Sequence, residues 1–446
     1  MAPGKRFASF LIISFGALLL SPLTVSAGTY LVGSVLPGAV TFESALQVAG
    51  AGDTILVEDG VYPVFISPAN GGGGENSRLV IRARNVGGAV IVKQGKVVRL
   101  ETPWVTLDGL VLDGGFGQAD CVDIRGAGAH HFEIKRCEIR NTLQDGIDIE
   151  GAPAGRIVGC TIHHCLAASH LVQHDGHGIV AGRLDSLLIR DCNIYYVSGD
   201  CFQSDPDRDP WDNIVIENCR LWTGPLPEAA AGFPAGFIPG ENAIDTKQLE
   251  KYPRSKLTLR NIQAYGWRAG IIGTVSAFNI KDHVEVLIEN CLLWDNEVCL
   301  RLRGGEEDED GRGGARVTVI NTVMRESDYG IRYEDMIRHL KVYNCTWGLR
   351  VDNAFGVRQG LDKETFDIRN CLFQLKELPA EARPFKSNLA VGPDSFKNGK
   401  GGDFRLVEGS AAIDAGEDLS GKGVTHDATG KPRPAGGGYD IGAYEF

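Results

Sequence analysis

The chain has 446 residues, with 45 Lys and Arg against 57 Asp and Glu and a formal net charge of −12. Such acidity argues against a nucleic-acid partner and repels polyanions globally, so an acidic ligand needs a local basic patch or a bound cation. Beyond residue 27 no stretch has the roughly 20 apolar residues of a membrane-spanning helix.

Residues 1–27 have the form of a secretory signal. Lys5 and Arg6 make a basic start, Phe10 to Leu20 an apolar run, and Val25-Ser26-Ala27 a small-residue cleavage site. Its removal leaves 43 cations against 57 acids, a net of −14, on 419 residues. That length exceeds the usual single core unless the fold grows by repetition. The expectation is an exported, soluble monomer, extracellular or periplasmic.

Thr41 to Ala49, TFESALQVA, opens on a Thr cap and carries apolar residues at helical spacing, which predicts a helix that plugs one end of the fold. From there the chain repeats itself. EIKRCEI, RIVGCTI, LIRDCNI, VIENCRL, TLRNIQA, LIENCLL, TVINTVM, KVYNCTW and DIRNCLF share one pattern. Its marker position is Cys137, Cys160, Cys192, Cys219, Ile262, Cys291, Thr322, Cys345 and Cys371, at gaps of 23, 32, 27, 43, 29, 31, 23 and 26 residues. Apolar alternation of period two marks each as a strand. Coils of short strands cannot bury a face singly, but stacked as rungs they enclose a continuous interior. The expected fold class is all-β, a parallel β-helix over 28–386 with an N-terminal helical cap on its first rung. The pattern breaks in 387–446, read as an irregular C-terminal cover. Eleven cysteines, an odd count, sit mostly at the marker position, which suggests stacked buried thiols; Cys160 with Cys165, or Cys192 with Cys201, remain open as disulfides.

A second pattern comes after most of these strands: DGIDIE from Asp145, HGIVAG from His177, DCFQSD from Asp200, NAIDTK from Asn242, AGIIGT from Ala269, VCLRLR from Val298 and YGIRYE from Tyr329. Side chains alternate across a strand, so one apolar column points inward and two polar rows point outward. Those rows pass from Asp148, Glu150, Gln203 and Asp205, through Asp245 and Lys247, to Arg301 and Arg303. Asp145, His177 and Asp200 lie at the preceding turn. The face therefore grades from carboxylates through a lysine to arginines, and an acidic sugar chain suits that gradient. A uronate needs its carboxylate neutralised and a base to take its C5 proton before the C4–O bond breaks. Clustered carboxylates attract Ca²⁺, which takes oxygen ligands, and a lysine in cationic surroundings loses proton affinity. Lys247 is the candidate base, with Arg268 and Arg303 acting on the reacting uronate and Arg301, His177 and Trp267 holding substrate. Asp145, Asp148, Asp200, Asp205 and Asp245 are the candidate Ca²⁺ ligands.

GTYLVGS, GDTILVEDGVYP, the Asn-Cys rungs and the ending SAAIDAG…YDIGAYE together resemble bacterial secreted right-handed β-helix proteins of the pectate-lyase-like superfamily. The motifs are most similar to the calcium-dependent pectate lyases of polysaccharide lyase family nine. Gln144-Asp145-Gly146-Ile147-Asp148 matches that family's Asp-Asp-Gly-x-Asp calcium run except at its first acid. Asn242-Ala243-Ile244-Asp245 matches its lysine strand, with Asp245 at the lysine's position and Lys247 two residues on. The resemblance implies a secreted lyase that cleaves an acidic polysaccharide by β-elimination. NTLQDGID, DGHGIV and GDCFQSD also resemble the Asn-Thr-Asp, Gly-His-Gly and Asp-Asp-Cys signatures of polygalacturonase-type hydrolases, in which paired acids protonate the leaving oxygen and activate water. In that alternative Asp145, Asp148, His177, Asp200 and Asp205 carry the reaction. A non-catalytic glycan-binding β-helix is the third.

His163 and His164 are expected on opposite faces of a strand. Trp222, Trp267, Trp294 and the insert Pro225 to Pro239 could wall a groove. The acidic run Glu306 to Asp310 is expected to be a solvated loop.

Overall fold

A computed structural model describes residues 27–33, 38–167, 169–171, 174–205, 210–270, 272–304, 314–334, 337, 339–357 and 366–446. The expected signal, the acidic run 306–310 and Ile271 lie outside the described residues, apart from Ala27. Three parallel sheets run along the chain, two of 13 strands and one of 10, visited in turn by each coil. This is the parallel β-helix that the repeats predict.

The period-two alternation explains the interior. On the first sheet Ile134, Ile157, Ile189, Ile216, Leu259, Ile288, Val319, Val342 and Ile368 pair rung upon rung. On the third, Val122, Ile147, Ile179, Phe202, Ile244, Phe278, Leu300 and Ile331 do the same, and all of these side chains are buried. Before each member of the third-sheet column stands a small residue: Cys121, Gly146, Gly178, Cys201, Ala243, Ala277, Cys299 or Gly330. The backbone comes too close there for bulk, since a Cβ on Gly178 would lie 2.6 Å from the Cys201 carbonyl oxygen.

The corner between the first and second sheets needs left-handed backbone. Asp191, Asn218, Asn261, Asn290, Asn321, Asn344 and Asn370 supply it, with φ between 50° and 56°, a conformation that short polar side chains tolerate. The next residue is the marker position, cysteine in most rungs. All eleven cysteines are free and buried, so neither Cys160–Cys165 nor Cys192–Cys201 is bridged.

The helix Phe42–Val48 begins as expected, with Thr41 Oγ1 accepting from Ser44 N at 3.1 Å, and inserts Phe42, Ala45 and Leu46 into the core. The segment after 386 departs from a simple end cover. Its Leu419, Val424 and Tyr439 pack on Ile320 and Tyr343, outward residues of the first sheet, while Phe404, Leu406 and Ile441 pack on Val323 and Leu372 of the second. It straddles the asparagine corner, where Asn321, Asn344 and Asn370 donate to the carbonyls of His426, Asp440 and Glu417 at 2.8–2.9 Å.

Candidate functional site

The polar positions converge on the outer face of the third sheet, but one rung differs from the expected order. Ile244 pairs with Phe278, and Asp245 with Asn279, so the rung after NAIDTK is SAFNIK, and the described residues of AGIIGT form no strand. Gly270 before an apolar residue mimics the other rungs, yet the strand forms at Ser276–Ile280. The correction introduces Lys281 at the position expected for Thr274. The outward row next to the apolar column reads Asp123, Asp148, Val180, Gln203, Asp245, Asn279, Arg301, Arg332.

Lys247 and Lys281 are set by the same device on successive rungs. The buried Ser204 hydroxyl accepts from Lys247 N at 2.8 Å and donates to its carbonyl at 3.1 Å. One rung later the buried Thr246 hydroxyl accepts from Lys281 N at 2.8 Å and donates to its carbonyl at 2.9 Å. Trp211 Nε1 adds a bond to the Lys247 carbonyl at 2.8 Å. Inward hydroxyls where other rungs carry apolar residues thus clamp both lysine backbones.

Asp245, expected as a Ca²⁺ ligand, forms an ion pair across rungs instead. Lys281 Nζ lies 3.1 Å from Asp245 Oδ2, and Asn279 Nδ2 donates to Asp245 Oδ1 at 2.8 Å. The Lys247 side-chain nitrogen has no ion pair among the described residues. Burial, then the nearby Asp200 charge, pushes the Asp245 carboxyl up to about 6, against the pull of Lys281 and Lys247. Beyond them, Arg301, Arg303 and Arg332 surround Glu334 at 3.3, 3.6 and 2.7 Å. Burial opposes ionisation of Glu334, but these guanidinium groups hold its carboxyl below the usual value.

The other end of the face is acidic. Asp120, Asp145 and Asp148 each place an oxygen within 4.8 Å of the others. Arg125 bonds to Asp123, Asp148 and Glu150. Burial and then Asp145 and Asp148 still push Asp120 up to about 6, so the cluster's negative charge is incompletely compensated. Three oxygen donors with residual repulsion fit a hard cation such as Ca²⁺. Asp120 was missed, although DCVDIR, in register with DGIDIE, carries the signal.

Of the five carboxylates expected to bind metal, the structure brings together Asp145 and Asp148. Asp200 accepts from Asn242 Nδ2 at 2.8 Å and faces His177 Nε2 at 3.5 Å. Asp245 holds Lys281. Asp205 ends the strand Phe202–Ser204, whose rung lies two steps from Asp148, at about 4.8 Å per step. Three such steps separate Asp148 from Asp245 and the Lys247 rung, about 14 Å in all. A cation in the acidic cluster therefore cannot bridge to the uronate that Lys247 would deprotonate, which corrects the expectation of one compact calcium-and-lysine centre.

His177 is only 5% exposed and sits in a buried polar ladder, its Nδ1 2.9 Å from Asp145 Oδ1. Burial disfavours its charge, but the Asp145 hydrogen bond and then Asp200 raise its pKa well above the usual histidine value. Trp267, expected to hold sugar, is 0% exposed, its ring spent on core packing. Arg268 lies at the opposite edge of the third sheet from Lys247, before the strand rather than after it. It is held there by Asp295 at 2.9 Å and Asp328 at 2.7 Å, in an open cavity of about 490 Å³. The structure does not bring it to the lysines.

Other expectations also change. Left-handed backbone at His164 turns its ring beside that of His163, with the two Nδ1 atoms 2.6 Å apart. Trp222 and Trp294 join His163, Tyr195 and Tyr265 in a stacked ladder on the second sheet. Within the insert, Leu226 and Phe233 form a small core with Leu166.

A family model described as right handed beta helix region matches residues 100–223. No curated protein matches the chain. Among solved structures, a rhamnogalacturonan lyase is 12% identical over 84% of this chain and 91% of its own, with a TM-score of 0.51. Pectate lyase Pel9A is 14% identical over 95% and 97%, with a TM-score of 0.49. A family 28 exopolygalacturonase of Yersinia enterocolitica is 11% identical over 74% and 78%, with a TM-score of 0.40. With three parallel sheets wound coil upon coil, the chain has the right-handed parallel β-helix fold.

Proposed function

We propose that the chain is an exported polysaccharide lyase that cleaves a uronate-containing glycan by β-elimination on the basic half of the third sheet. The fold alone hosts many chemistries, so the reading rests on the face itself. The observation that carries it is the pair of lysines clamped on successive rungs beside Arg301 and Arg303. Arg301 and Arg303 hold the substrate carboxylate, which stabilises charge developing at C5. Lys247, whose amine has no ion pair among the described residues, takes the C5 proton. The electron pair of that bond becomes the C4–C5 double bond, and the C4–O pair leaves with the oxygen. Lys281, positioned by its pairing with Asp245, gives that oxygen a proton. Asp120, Asp145 and Asp148 would hold Ca²⁺, whose charge would bind uronate carboxylates farther along the groove.

One observation favours a second reading, hydrolysis at the acidic end. Asp120, pushed up to about 6, stands beside Asp145 and Asp148, and a carboxyl raised toward neutrality beside other carboxylates is what acid–base glycoside hydrolysis needs. The mature protein incubated with pectate, alginate or glycosaminoglycans, with and without Ca²⁺, separates the two. Ultraviolet absorbance from the new double bond, lost in Lys247→Ala, marks elimination. Reducing ends without that absorbance sink the lyase reading, and neither signal on a broad panel indicates a binding protein.

A further inference from the structure

Asn279 stands between Asp245 and Arg301 in the outward row of the third sheet. Its Nδ2 donates to Asp245 Oδ1 at 2.8 Å, and the other oxygen of that carboxylate is taken by Lys281 at 3.1 Å. This anchoring fixes the carboxamide, with the nitrogen toward the acid and Oδ1 turned away. Oδ1 has no donor among the described residues, although Asn279 is only 4% exposed. The neighbour that could serve it, Arg301, instead directs Nε and a terminal nitrogen to Glu334, both at 3.3 Å. A buried acceptor left without a donor is unfavourable, and folded proteins keep few of them. This one lies among the groups that would hold and deprotonate a uronate.

We propose that Asn279 Oδ1 accepts a hydrogen bond from a ring hydroxyl of the bound uronate, so that the enzyme selects uronans whose secondary hydroxyls are free rather than O-acylated. The inference rests on the lyase reading and names the substrate class of that site. One rung spans about 4.8 Å, close to the width of one pyranose. A sugar whose carboxylate meets Arg301 therefore has its hydroxyls beside the preceding rung, which is Asn279. An ester at those positions removes the donor and leaves the acceptor orphaned in the complex. A site built to bond a hydroxyl rejects analogues that lack it.

The test is calorimetric titration of the full mature chain, wild type and Asn279→Ala, near neutral pH. The probes are oligogalacturonates and oligomannuronates, unmodified and O-acetylated at the secondary hydroxyls. Acetylation is expected to weaken wild-type binding about tenfold or more. Asn279→Ala is expected to bind the unmodified oligomers about tenfold less tightly and to lose the discrimination. Equal wild-type affinity for free and acetylated oligomers overturns the proposal without needing any variant to fold. So does an Asn279→Ala protein that keeps both affinity and discrimination, or one that discriminates against the ester as strongly as before. If wild type binds no oligomer of either kind, this inference falls, and the double-bond assay on the wider glycan panel decides the lyase reading separately.

Discussion

The two halves of the third sheet share a backbone and differ in chemistry. From Val122 to Phe202 the outer face is ruled by Asp120, Asp123, Asp145 and Asp148, with Arg125 among them. From Ile244 to Ile331 it is ruled by Lys247, Lys281, Arg301, Arg303 and Arg332, gathered around two acids, Asp245 and Glu334. Inward, both halves carry the same apolar column and the same small residue before it. The solenoid thus separates what holds it together from what it presents, and charge on one flank can reverse within about three rungs without altering the interior.

That contrast can be broken from its basic half first. Lys247→Ala and Lys281→Ala should each lower the rate of double-bond formation by about 10²–10⁴, while Asp148→Asn should leave a larger residual rate. If Lys281→Ala alone keeps near wild-type turnover, the acid role assigned to it is wrong and Lys247 works without it. The acidic half responds differently. Arg125→Ala removes the guanidinium that Asp123 and Asp148, each 1% exposed, share, and although Lys96 still holds Asp123, it should cost about 3 kcal/mol in denaturant unfolding. Added Ca²⁺ should recover part of that loss, and the absence of any Ca²⁺ effect on wild type or variant speaks against a cation there.

Inward substitutions should erase the contrast. Ile147→Ala and Leu300→Ala lie in opposite halves, are both fully buried, and should each cost about 2–5 kcal/mol. A smaller effect is expected from pH. The Asp245 pKa of about 6 lies above its ordinary 3.8, so the fold disfavours its charged form. That penalty is present above pH 6 and disappears as pH falls toward the unfolded value. Neutral Asp245 also leaves the lysines uncompensated, so affinity for a polyuronate should rise a few-fold between about pH 7 and pH 5. Asp245→Asn should flatten that profile.

The solenoid was legible because it depends on periodicity, which nine marker strands repeat. The basic gradient was legible for the same reason, as Lys247, Arg301 and Arg303 fall at fixed offsets from an apolar column. What failed was the placement of an insertion. Between Cys219 and Cys291 the spacing does not say where the extra residues lie, and AGIIGT offers the same Gly-Ile pair as true rungs. Choosing it hid Lys281 and Asn279. Trp267 and Arg268 failed differently, since period two does not specify which way a corner side chain turns. The distance between acids and lysines follows only from counting rungs, and that count places the carboxylates of Asp148 and Asp245 in separate centres.

The cysteine column has a chemical consequence. Wound into the solenoid, its seven thiols and the four cysteines outside the column are all shut from solvent, and burial drives the Cys137 thiol up to about 12. Burial then keeps oxidants, which attack an accessible thiolate, from reaching them. Before the coils close, the same eleven groups are ordinary reactive sulfurs with many wrong partners. In an oxidising compartment, winding must outrun disulfide exchange, and each completed coil withdraws its own sulfur from that race.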